Sequence, residues 1–192
     1  MIQMSETSEA IFAKLTPLLD TPGPAELGPG PRKGVCDEAA LNHELDKLFG
    51  SASLPDQQQQ LIRALLLLWH DHFESSHSIS QATGNADGAF VHGILHRREP
   101  DYSNAAYWFR RVGPHAVFQK LADRSRALAE KAGRREMIEN LVKGERWDAF
   151  GYIDACEQAN RRGVPESETN LLRQIQQIET RLLLESFCNP AE

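Results

Sequence analysis

Leu61 to Ala82 reads LIRALLLLWHDHFESSHSISQA, apolar on every side in its first half and carrying three histidines in its second. A surface helix shows one greasy stripe, whereas a helix greasy all round belongs inside a core. Pro55 supplies a start, and no Gly or Pro intervenes before Gly84. This predicts a buried central helix over about residues 61–83, roughly six turns long. Arg63, His70, Asp71 and His72 interrupt the apolar run, which falls short of the ~20 residues needed to cross a bilayer. No membrane partner is expected.

At about 100° per residue, His70, Glu74 and His77 share one stripe of this helix. His72 points the other way, with Leu65, Leu68 and Ile79, and is expected to be buried there. A second helix over about residues 88–99 repeats the device, with His92, His96 and Glu99 again at i, i+4 and i+7. The short turn TGNADG (83–88) makes the two helices antiparallel neighbours. Counting outward from it brings His77 level with His92, Glu74 near His96, and His70 near Glu99. Six ligands for a metal are thereby predicted to converge: His70, Glu74, His77, His92, His96 and Glu99. Imidazole and carboxylate donors suit a divalent zinc, iron, manganese or nickel ion, and Glu74 serves as a ligand or as a catalytic base. The alternative for each histidine is a hydrogen-bonded polar residue beside a core. Glu74 to His77 is also the Glu-x-x-His unit of carboxylate-bridged dimetal bundles, but the second copy that chemistry requires is absent.

The 192 residues are enough for one good core, and the 41% hydrophobic content is ordinary for a globular domain. A net charge of −6 with both signs mixed argues against a nucleic-acid binder. Cys36, Cys156 and Cys188 are odd in number and far apart, so they read as reduced thiols rather than a disulfide framework or a structural zinc site. The first fifteen residues have neither a basic region nor a continuous apolar core, and a cytoplasmic placement is expected.

Residues 1–20 are expected to carry an amphipathic N-terminal helix with Ile11, Leu15, Leu18 and Leu19 inward, weakened at its end by Pro17. Residues 21–34 (TPGPAELGPGPRKG) read as an extended Pro/Gly connector, draped on the surface or swapped as an arm. Residues 35–192 form a single helical domain. Its predicted elements are a helix capped by Asp37 and closed at Gly50, a short helix after Asp101, and helices over 115–131, 134–143, 147–162 and 165–187. The last has Leu171, Ile175, Ile178, Leu182 and Leu183 at near-heptad spacing, which suits packing on neighbours or on a homodimer mate. No strand pattern or internal repeat is found, so the fold class is all-α, a helical bundle around the central helix.

Arg97 and Arg98, with Arg110 and Arg111, offer bidentate contacts to a small anionic ligand, a phosphate or carboxylate. Salt bridges to Glu99 and Asp101 are the alternative use of the first pair. Tyr102, Tyr107, Trp108 and Phe109 concentrate aromatic side chains in the same region.

The block WHDHFESSHSI (69–79) with GAFVHGILHRREPDYSNAAYWFRRVG (88–113) resembles a motif of small uncharacterised bacterial and fungal all-α proteins, covering about a quarter of the chain. That resemblance implies no assigned activity. A weaker similarity is to the HD phosphohydrolases, also all-α: His43, His70-Asp71, and Asp101 or Asp123 follow their H…HD…D order, which leaves His72, His77, His92 and His96 without a role. No GxSxG, P-loop or dinucleotide glycine pattern occurs, so no nucleotide cofactor is expected. Two functions follow as expectations. One is a metal-dependent hydrolase acting on a small anionic substrate. The other is a non-enzymatic interaction module built on a buried His/Arg/Glu network.

Overall fold

The structure is a computed structural model that describes residues 7–189, apart from the side chain of Arg162; residues 1–6 of the expected N-terminal element and 190–192 of the helical domain lie outside it. It is an all-α bundle. In chain order the helices are α1 (Ser8–Leu15), α2 (Glu38–Phe49), α3 (Asp56–Trp69), α4 (Phe73–Ala82), α5 (Ala86–Arg98), α6 (Tyr102–Val112), α7 (Val117–Lys131), α8 (Arg135–Glu139), α9 (Ala149–Arg162) and α10 (Glu166–Cys188). A 3-10 turn over Thr16–Leu19, with Pro17 near its start, follows α1. Two short strands, β1 (Val142–Lys143) and β2 (Arg146–Trp147), pair antiparallel where the sequence predicts the end of one helix and the start of the next. Gly144, just past the helix predicted over 134–143, has φ +64° and makes the hairpin turn, a conformation open mainly to glycine.

The buried centre is α3, whose Leu61, Ile62 and residues 64–69 are all removed from solvent. It contacts α2, α4, α5 and α10. The single central helix expected over 61–83 is corrected here to two helices, α3 and α4, joined through residues 70–72. Asp71 has φ +68°. The Asp71 N–H donates to the Leu68 carbonyl and the His72 N–H to the Leu67 carbonyl, the paired bonds that close a helix around a left-handed residue. That position usually belongs to glycine. Asp71 is held there by its carboxylate, which accepts from the Arg32 N–H, the Arg32 guanidinium and the Arg98 guanidinium.

Residues 21–34 are extended, as their composition predicts, but they are not a slack connector. Ala25 and Leu27 are buried, and the carbonyls of Ala25 and Glu26 accept from the Gln176 amide on α10. Arg98 Nε donates to Glu26 O, and Arg32 Nη2 to Trp69 O. Gly30 passes so close to Asp71 that a Cβ on it would lie 2.5 Å from the Asp71 Cβ. The segment is a strap across the break between α3 and α4.

Every residue of α5 from Gly88 to Arg98 is buried, two arginines included. Arg97 reaches α10, where it pairs with Glu179 and Gln176 and lies over the Tyr152 ring. Burial opposes its charge, but Glu179 holds the guanidinium above its ordinary pKa. Gly93 lets α6 come close: a Cβ there would meet the Phe109 ring at 2.8 Å. The apolar stripe of α10 is covered by α1, α3, α7 and α9 of the same chain. Among the described residues no helix is long and apolar enough to cross a membrane.

Arg97→Met leaves the Glu179 carboxylate buried without its cation and is expected to cost about 3–5 kcal/mol. The Arg97→Met/Glu179→Leu pair should recover most of that loss in urea unfolding. A double variant no more stable than the single one would show that the pair is not the source of the cost.

Candidate metal centre

α4 and α5 pack on each other across the turn at 83–85. Asn85 caps α5 by accepting from the Gly88 N–H. On α4, Ser76 donates its hydroxyl to Ala64 O of α3, which sets the rotation of the helix and leaves His77 directed at α5. The His77 ring stands edge-on to His92, 4.6 Å between centroids, and edge-on to His96 at 5.6 Å. His92 and His96, one turn apart on α5, stack at 4.7 Å. Each of the three rings offers one nitrogen lying within 4.8 Å of the other two, and among the described residues this is the group that could hold a metal ion.

His92 is 1% exposed, and neither of its ring nitrogens has a hydrogen-bond partner. Its ring is stacked on Trp108 of α6 at 3.9 Å and 17°. Burial, with His96 and His77 as further causes, pushes its pKa down to about 3. His96 is shifted in the same direction, chiefly by burial, although Glu99 opposes the shift. At neutral pH both rings are therefore uncharged and carry a free lone pair, the state a metal ligand needs. His96 Nδ1 lies 3.1 Å from Glu99 Oε2, which favours a proton on Nδ1 and leaves Nε2 as the donor atom. The Asn104 amide nitrogen sits 3.1 Å from that Nε2.

Three of the six expected ligands thus come together, and three do not. His70 ends α3 instead of continuing a stripe. Its Nδ1 accepts from the Cys36 N–H and its Nε2 donates to Leu18 O, so both nitrogens hold the N-terminal segment. Glu74 is exposed on α4, and its carboxylate is outside the histidine group. Glu99 touches a ligand ring rather than joining the group. His72, expected among Leu65, Leu68 and Ile79, is only half-buried and donates to Cys36 O, with Glu38 3.9 Å away. The cause of these departures is one event. The left-handed residue at 71 rotates α4 relative to α3, so the register carried across 70–72 is lost.

Arg97 and Arg98 are both 1% exposed. Their guanidiniums are committed to Glu179 and Gln176, and to Asp71, Leu68 O and Glu26 O, respectively. This corrects their assignment to substrate binding, and their partners are also not the Glu99 and Asp101 expected as the alternative. Arg110 and Arg111 remain exposed. Arg111 lies against Trp108, 5.5 Å from the ring centroid, while Arg110 lines a separate cleft. His43 is exposed on α2. Asn104, Trp108 and Arg111 form a wall of the site; the sequence singles out Trp108 and Arg111, but not Asn104. Their i, i+4, i+7 spacing on α6 is the same signal that singled out the histidines.

The low pKa of His92 has a sign. The unfolded ring takes a proton near its ordinary pKa of 6.5, whereas the folded ring resists until about 3. Its contribution to stability is complete above the unfolded value and drains away as pH falls through that window. Metal-free protein should show a falling urea midpoint as pH drops from about 7 to about 5, and His92→Phe should lose less over the same interval. Equal losses would remove His92 as the cause. Compared with protein-family models, with curated proteins and with solved structures, the chain matches none, so the geometry carries the functional reading.

Proposed function

We propose that His77, His92 and His96 hold one divalent ion of the zinc, iron, manganese or nickel class, and that the protein is a metal-dependent hydrolase for a small anionic substrate. The observation that carries the metal is the His92 ring, buried with both nitrogens unpartnered. Native folds rarely leave buried polar atoms unsatisfied, because each costs about 1–3 kcal/mol, and a metal–nitrogen bond removes part of that cost. Ligation needs a small contraction: zinc–nitrogen bonds of about 2.0–2.1 Å bring donor atoms closer together than the 4.8 Å seen here. Asn104 must also turn aside from His96.

Three imidazoles leave a position open for water, and a bound metal brings that water's pKa toward neutrality, supplying a nucleophile. Glu99 beside His96 is the carboxylate that orients a ligand ring. Glu74, three residues before His77 on α4, is the base in this reading, and Arg111 over Trp108 is the cation that meets the substrate.

The alternative is an interaction module in which the polar residues serve the fold. The network of Arg32, Asp71 and Arg98 favours it, since these buried charges satisfy one another without a ligand. In that reading the exposed Tyr107 belongs to a contact with a partner or a second copy.

Protein purified without a histidine tag and offered each of the four metals should retain one equivalent of at least one of them by elemental analysis. His92→Ala/His96→Ala should lose it while keeping its helical circular dichroism. Glu99→Gln should weaken the affinity about 10–100-fold. If the wild-type chain retains none of the four, the metal and the hydrolase both fail and the module becomes the better account.

A further inference from the structure

A cleft of about 680 Å³ opens between the end of α6, the start of α7 and the β1–β2 hairpin. Its volume is that of a site for one small molecule. Phe118, Trp147 and Phe150 supply aromatic walls, with Phe109 behind them. The walls are braced from within the core: Phe90 packs on both Phe109 and Phe118 at 5.2 Å, and Trp147 stands edge-on to Tyr152 at 5.3 Å. Phe150 is 42% exposed and, with Tyr107, is one of two large apolar side chains so exposed among the described residues. An aromatic ring left in water at the mouth of a cleft gains by being covered.

The charges around the cleft are unbalanced. Lys143 is paired with Asp148 at 2.5 Å. Arg110 on α6 and Arg146 on β2 also line the cleft, and neither has a carboxylate within ion-pair distance among the described residues. Glu145 is the remaining acid. His115 contributes no free nitrogen, since its Nε2 meets Asp87 at 2.9 Å and its Nδ1 accepts from the Val117 N–H. In a chain of net charge −6, two unpaired guanidiniums beside an aromatic cleft favour a ligand that is flat and negatively charged. Guanidinium groups meet carboxylate and phosphate oxygens through paired N–H donors.

We infer that this cleft is a second binding site, separate from the histidine group, for a small aromatic or heteroaromatic anion. Its ring lies against Trp147, Phe118 and Phe150, and its carboxylate or phosphate lies between Arg110 and Arg146. His92 and His96 belong to the side of α5 that faces His77 and Trp108, whereas the cleft is reached from Phe90, on another side of the same helix. The inference therefore stands without the metal.

Phenyl phosphate and benzoate, titrated into the full chain by calorimetry, test it, with inorganic phosphate and benzyl alcohol as probes that each carry half of the chemistry. At least one aromatic anion should bind, at least about tenfold more tightly than either half-probe; the tighter of the two names the oxyanion. Arg110→Ala/Arg146→Ala should raise that Kd by about tenfold or more with no change in thermal unfolding, because both side chains are exposed. His92→Ala/His96→Ala should leave the Kd unchanged. The site is refuted if neither anion binds, if the half-probes bind as tightly, if the arginine double variant binds as well as wild type, or if the histidine variant abolishes binding.

Discussion

The Asp71 carboxylate is the hinge of this structure. It is 1% exposed and meets the guanidiniums of Arg32 and Arg98, and it belongs to a residue whose backbone is left-handed. Asp tolerates that conformation better than most side chains, but a buried carboxylate needs its cations. Arg98 arrives from α5 and Arg32 from the strap. Three segments distant in sequence therefore depend on one side chain. The bend it stabilises ends α3, starts α4, and turns His77 toward α5.

Around that hinge the bundle spends polar residues in its interior to an unusual degree. α5 is buried on all sides, so Arg97, Arg98, His92 and His96 had to be either satisfied or left in want. The charges of the arginines are paired, by Glu179 with Gln176 on one side and by Asp71 with backbone carbonyls on the other, although Arg97 Nε itself has no partner. His96 has Glu99 and Asn104. His92 alone of these has nothing for either nitrogen. In a fold that pairs its buried charges, an uncharged ring with both nitrogens unpartnered is the feature on which the proposal of a metal at the histidine group rests.

The two candidate sites share the helix pair α5–α6 but use different sides of it. Asn104, Trp108 and Arg111 line the histidine side, and Phe109 and Arg110 the cleft side. Gly93, by admitting the Phe109 ring against α5, sets how closely the two helices approach and so positions both walls. Neighbouring arginines in sequence thus serve different surfaces, as 100° per residue requires.

Local pattern determined a good deal of this protein. The all-round apolar run placed α3 in the core, Asp37 and Gly50 bounded α2, Asp101 capped α6, and the i, i+4 repeat put His92 and His96 on one face of α5. These features depend on residues a few positions apart, where helical geometry is the only unknown. Tertiary structure alone decided the rest. The break at Asp71 needs Arg32 and Arg98, which are 39 and 27 residues away, and no periodicity announces it. The strap is extended by composition but pinned by Gln176 and Arg98 from the far side of the chain. For the same reason His70 turned from a neighbour of His77 into a clasp on Leu18 and Cys36. A side chain's place on one helix is set by its spacing, whereas its partner is set by how two helices are rotated against each other, and that rotation is fixed only when the whole core is packed.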